Sequence, residues 1–257
     1  VTYVKPRRAG ARRPYQACVV GLPKAGKSTV ARHIAAEFGV VHLDMPAVIE
    51  SVIEKGDTEL GASINTHLAT GQSLPDDLTV KALRMVTEST ACLKQGWVLD
   101  GFPVTLKQAS LMADNGIVPA NVFSLGVTPE EGMARGTLDS AEMDALNPTS
   151  EIPDPDFDLS TLWKRIQAEG KGRDAVDRHY AGQYENVHFL DGAKSKWFVE
   201  DEVSKHAKLN IQARRMYWQA VHEMRCGAIW PMCVTPATFF EKRSKLGDFC
   251  PVSLTLH

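Results

Sequence analysis

Five short apolar runs punctuate this chain, each bounded by glycine, asparagine or proline: QACVVG at 16–21, GVVHL at 39–43, GWVL at 96–99, ANVFSLGV at 120–127 and NVHFL at 186–190. Continuous rather than alternating runs of this length read as strands buried on both faces. The stretches between them read as helices: KSTVARHIAAEFG at 27–39, a long region from about 46 to 95 broken near Gly56, Gly71 and Pro75, and a run from 194 to about 224. Strands alternating with helices predict an α/β fold, a five-stranded parallel sheet with helices on both faces. Two segments depart from the pattern. Residues 1–14 are basic, rich in Pro, Gly and Ala, and without period, which predicts a linker. Beyond 222 the texture changes again, with Trp230, Phe239, Phe240 and Phe249 set among turn residues. The expected organisation is a linker at 1–14, one domain at 15–210, and a C-terminal helix with an aromatic, cysteine-containing extension at 211–257.

Composition narrows the classes without choosing among them. The chain has 257 residues, 23% of them charged, with a formal net charge of −2, so no global charge favours nucleic acid. No run approaches the length of a membrane span, and no apolar core follows the basic N-terminus as a signal peptide requires. Five cysteines, scattered and odd in number, suit a reduced, cytoplasmic setting. The first residue is valine, which points to a piece of a longer chain.

The chemistry starts at GLPKAGKST, residues 21–29, which fits G-x-x-x-x-G-K-[ST] directly after a strand and opening a helix. In that context backbone N–H groups of Gly21, Lys24, Ala25 and Gly26 converge with the helix N-terminus on an anion. Lys27 would reach the outer phosphates, Ser28 would ligate Mg²⁺, and Thr29 continues the motif. Asp100 ends the third strand, expected beside the first, where a carboxylate holds Mg²⁺ through water. It lies too far upstream of TLKQASLMA to cap that helix.

With LDGFP-x-T-x-x-Q-A at 99–109 and TPEEGMAR at 128–135, the chain resembles the nucleoside monophosphate kinases, specifically adenylate kinase. Residues 58–83 look like that family's monophosphate-binding arm, LWKRIQ (162–167) like the helix leaving its lid, and VHFLDG (187–192) like its last strand. The resemblance implies a P-loop fold with two flaps, and ATP/ADP bound with Mg²⁺. It also implies that Arg135 lies against adenine, Arg165 acts with Lys27 on the transferred phosphoryl group, and Gly101 and Gln108 serve the acceptor.

Phosphoryl transfer depends on cations placed around a charge-rich transition state, and here the pattern fails. The residue after GFP, an arginine in the family, is Val104. The helix after the second strand carries Ile49 and Glu50 where a phosphate-binding arginine belongs. From 136 to 163 there is no Lys or Arg, whereas Asp139, Glu142, Asp144, Glu151, Asp154, Asp156 and Asp158 give an acidic lid. Lys24 and Ser28 stand where the family usually has glycine. These losses fall on the acceptor side and the lid and spare the cradle.

The expectation is therefore a degenerate domain that still holds ATP or ADP and acts as a structural module. The alternative is an active nucleoside monophosphate kinase whose cations come from elsewhere, such as Arg173 or Arg178. A sensor whose lid moves on binding is a third possibility. A linker before the domain and an unfinished unit after it resemble the large proteins of the ciliary axoneme that carry several such domains; this implies partners within such an assembly and a place in a cilium or flagellum. His222, Cys226, Cys233 and Cys250 do not have the spacing of a zinc site.

Overall fold

The computed structural model describes residues 14–54, 59–71, 73–146 and 158–227, without the side chains of 140–146, 218 and 221–227. Strands β1 (Tyr15–Gly21), β2 (Val41–Asp44), β3 (Gly96–Asp100), β4 (Asn121–Gly126) and β5 (Val187–Asp191) form one sheet in the order β2-β3-β1-β4-β5. Every pairing is parallel. The strands lie within one or two residues of the apolar runs, and β3 sits beside β1 as expected.

The lack of alternation has a direct cause. Side chains of successive strand residues point to opposite faces, and here both faces are covered. Cys18, Val20, Trp97, Leu99 and Val122 belong to one core cluster with Val48, Val52, Val80, Leu83 and Met112. Ala17, Val19, Val98, Phe123 and Leu125 belong to a second cluster with Val30, Ala31, Ile34, Val199, Val203 and Ala207. The first cluster lies under α2 (Met45–Glu54), α4 (Asp76–Thr87) and α6 (Leu106–Asp114). The second lies under α1 (Lys27–Phe38) and α9 (Lys196–Gly227).

The helical region after β2 divides into α2, α3 (Glu59–Ala69), α4 and α5 (Thr90–Gln95). The break between α4 and α5 carries neither Gly nor Pro. Ser89 makes it, accepting a hydrogen bond from the Cys92 N–H as the N-cap of α5. Helices α7 (Pro129–Leu146) and α8 (Leu159–Tyr184) flank the lid segment. Residues 11–213 form one compact unit; of the second unit the described part is the end of α9 from 214 to 227. The linker before residue 14, the break near Gly56, the lid acids Glu151, Asp154 and Asp156, and the extension after 227 lie outside the described residues. Among the described residues no helix is long and apolar enough to cross a membrane.

Candidate functional site

The site forms where β1, β3 and β4 end, the side of a parallel sheet on which loops and helix N-termini converge. The first loop runs from Gly21 to α1, whose N-cap, Gly26, has φ 90° and provides no side-chain hydrogen bond. The first amides of α1 therefore face outward without a side-chain cap. Lys24 holds φ 63°, a conformation uncommon outside glycine. Ser28 is exposed and Thr29 partly buried on the first turn of α1.

The Lys27 ammonium turns back on its own loop, donating to the Gly21 and Leu22 carbonyls at 2.9 Å each. Burial holds its pKa below the usual lysine range, while the charges of Glu169 and Asp100 push it back up and those of Arg165 and Arg173 lower it. Gly101 follows Asp100 with φ 70°, and a Cβ there would stand 3.2 Å from Lys27 Cε, so the turn lies against the lysine stem. The Asp100 carboxylate is nearly buried, 3.4 Å from His42 Nε2 on β2. That imidazole nitrogen is itself buried and, among the described residues, has no partner with hydrogen-bond geometry. His42 is a site residue that the motifs do not mark; its only signal is its place two residues before the end of a strand paired with β3, on the same face as Asp44 and opposite Val98.

Among the described residues, Asp139 and Arg135 join the lid side to the loop. Asp139 on α7 pairs with Lys24 at 2.8 Å. Arg135 donates from Nη2 to the Gly192 carbonyl at 2.7 Å and from Nη1 to the Lys24 carbonyl at 3.3 Å, joining α7 to the phosphate loop and to the turn after β5. Arg165, half-exposed on α8, lies 3.7 Å from Glu169. An acid from the lid therefore sits on the extra cation of the loop.

On the acceptor side, Val104 follows a cis Phe102–Pro103 bond. Thr105 and Gln108 form a capping box at the start of α6. Gln108 Oε1 accepts from the Val104 N–H at 2.9 Å, and Nε2 donates to Asp76 Oδ1 at 2.8 Å. Asp44 caps α2 by accepting from the Ala47 N–H at 2.8 Å. Ile49 packs against the first core cluster, while Glu50 is exposed. Of the two substitute cations, Arg178 is bonded to its own helix at the Asp174 carbonyl on an exposed face. Arg173 points into the site.

A hydroxyl at Ser28 and a carboxylate at Asp100 are hard oxygen donors, the chemistry that suits Mg²⁺. Among the described residues no group of three His, Cys, Asp or Glu side chains could by itself hold a metal. That pair fits an ion that keeps waters and phosphate oxygens in its shell. The side chains of His222 and Cys226 are not described, and Cys233 and Cys250 lie beyond the described residues.

A glycine-rich loop opening a helix, with an acid at the end of the neighbouring parallel strand, defines a P-loop domain. The chain belongs to the adenylate kinase family, whose pattern matches residues 19–180. It is similar to adenylate kinase 9 of Mus musculus, 29% identical over 99% of this chain and 13% of that protein. Adenylate kinase 8 of Xenopus tropicalis is 33% identical over 52% of this chain and 27% of its own length. An adenylate kinase of Agathobacter rectalis is 38% identical over 37% of this chain and 44% of its own length. The matched region is thus less than half of each of these relatives.

Proposed function

We propose that this chain is a degenerate adenylate-kinase-like domain that holds ATP or ADP at the loop 21–29 and serves as a structural module of a larger assembly. The observation that supports it is the distribution of cations. The cradle keeps its cation, Lys27, with the Asp100 carboxylate close enough to act on it. The acceptor side instead offers Val104, a packed Ile49 and an exposed Glu50. A transition state rich in phosphate charge finds few donors there.

The roles follow from chemistry. Backbone amides of the loop and the start of α1 receive the phosphates, and Lys27 leaves the Gly21 and Leu22 carbonyls for the outer ones. Ser28 and Asp100 would hold Mg²⁺, which neutralises charge between the outer phosphates when bound. Arg135, on the loop's rim, borders the base. Relatives that are several times longer than the matched region support placing the domain within a large protein, and the axonemal setting is the one implied by the resemblance to large ciliary proteins that carry several such domains.

The active-kinase reading is favoured by one observation, the inward-pointing Arg173. Incubation with Mg-ATP and a panel of nucleoside monophosphates separates the two. No ADP formation is expected from the natural chain. Turnover that disappears in the Lys27→Ala variant would overturn the structural reading. Val104→Arg with Glu50→Arg tests the same cause from the other side, because position 50 is exposed and accepts the charge without disturbing the core.

The Lys24–Asp139 pair gives a separate prediction. Asp139→Ala removes one acidic partner of Lys24, and ATP should bind about three- to tenfold more tightly in a titration with a fluorescent analogue. The pair is partly exposed, at 24% and 47% for the two side chains, so the melting temperature should barely change.

A further inference from the structure

A cavity of about 10 Å³, the size of one water, opens between Gly21, Gly101, Pro103, Val104, Glu169 and Arg173. Arg173 reaches it because α8 comes unusually close to the turn after β3. A Cβ at Gly172 would lie 2.9 Å from the Val104 carbonyl oxygen, so the helix and turn approach at a distance that only glycine permits. The next residue, Arg173, then places its guanidinium at the carboxyl ends of the strands.

The guanidinium is held there. Nη2 donates to Ser124 Oγ at 3.1 Å, and Nε lies 3.6 Å from Asp177 Oδ2. The Ser124 hydroxyl in turn donates to the same Asp177 oxygen at 2.9 Å. Ser124 is fully buried on β4, and the Arg173 side chain is only 18% exposed. Nη1 has no partner among the described residues. A buried serine and a buried carboxylate thus orient a planar donor fork at the wall of the cavity. Glu169, on the same wall, pairs with Arg165 rather than with Arg173. Arg173 also borders an open groove of about 630 Å³ lined by Leu22, Pro129, Trp163 and Gln167, so the fork stands where that groove meets the phosphate loop.

We infer that Arg173 grips the terminal phosphoryl group of a bound nucleoside triphosphate, reaching it from α8. The inference rests on the nucleotide-holding reading. Lys27 serves the outer phosphates, and Arg173 acts on Lys27 from a cavity wall shared with Gly21, Gly101 and Val104, where the last phosphate of a triphosphate would arrive. The domain would then distinguish triphosphate from diphosphate even without transferring the phosphoryl group.

Calorimetric titration of the full chain with Mg-ATP and Mg-ADP tests this. Arg173→Lys keeps a charge beside Asp177 but loses the fork. Arg173→Met with Asp177→Asn removes both buried charges together, so no unpaired carboxylate is left to unfold the protein. The natural chain should bind ATP about tenfold or more tightly than ADP. Both variants should bring the ratio near unity by weakening ATP alone. A ratio that neither variant alters, with binding intact, overturns the role of Arg173. Binding of neither nucleotide to the natural chain overturns the nucleotide-holding reading and this inference with it.

Discussion

Replacing Lys27 by methionine should lower ATP affinity about 100-fold or more without destabilising the fold. The two effects separate because the same side chain does different things with and without phosphate. Two charge-assisted contacts to the outer phosphates, each about 1.5–3 kcal/mol, are lost on substitution. In the protein alone the ammonium is partly buried, its pKa is held below the usual range, and its partners are the Gly21 and Leu22 carbonyls. Methionine of similar length fills the space against Gly101 without a charge to desolvate. A titration should therefore show binding lost, and a thermal melt should show a midpoint equal to that of the natural chain or slightly higher. A melt that collapses would make Lys27 a structural residue first.

A larger structural effect is expected at Gly96, between α5 and β3. Its φ of 92° suits glycine, and a Cβ there would meet the Tyr15 carbonyl oxygen at 2.0 Å and the Tyr15 nitrogen at 2.9 Å. Tyr15 pairs with Gly96 at the start of the β1–β3 ladder, so the clash is with backbone that cannot step aside without parting two central strands. Gly96→Ala should cost about 3 kcal/mol or more and lower the melting temperature by roughly 10 °C. Gly116→Ala is the control. Its φ of 75° is comparable, but the space around it is open, so only the conformational cost of about 1 kcal/mol should appear. Equal losses at both positions would mean that the close approach at Gly96 is relieved more easily than the geometry indicates.

The five strands, and the place of β3 beside β1, were legible because the strands read as short continuous apolar runs, each closed by a turn residue. Residues such as Val19 and Val20 announce a doubly covered strand by standing next to each other. Local chemistry was less legible. Ser89 ends one helix and starts another by a single side-chain bond, which composition does not mark. The Lys24–Asp139 contact joins positions 115 apart, and Ser124, Arg173 and Asp177 meet from two elements. Pairings of that kind follow from the packing of α7 and α8 over the sheet, not from spacing along the chain. One clue was present: Ser124 is a polar residue inside an otherwise apolar strand, and a buried hydroxyl requires a partner. Val104 was readable as an absence and Arg173 as one of two candidate cations, whereas the choice between Arg173 and Arg178 required Gly172 to be seen in contact with the turn.

The amide of Gln108 bears on how the molecule moves. Through Asp76 it fastens the first turn of α4 to the first turn of α6, and Lys107 adds a second link to Asp76 at 3.2 Å. An arm that swings over a substrate must let go of such a fastening at every cycle. Here α4 also packs against α6 through the buried Leu83 and Met112, so arm and turn should exchange their amide hydrogens with solvent at similar, slow rates. A fastening of this kind makes the arm and the turn after β3 one stiff piece, which suits the structural role proposed for the domain.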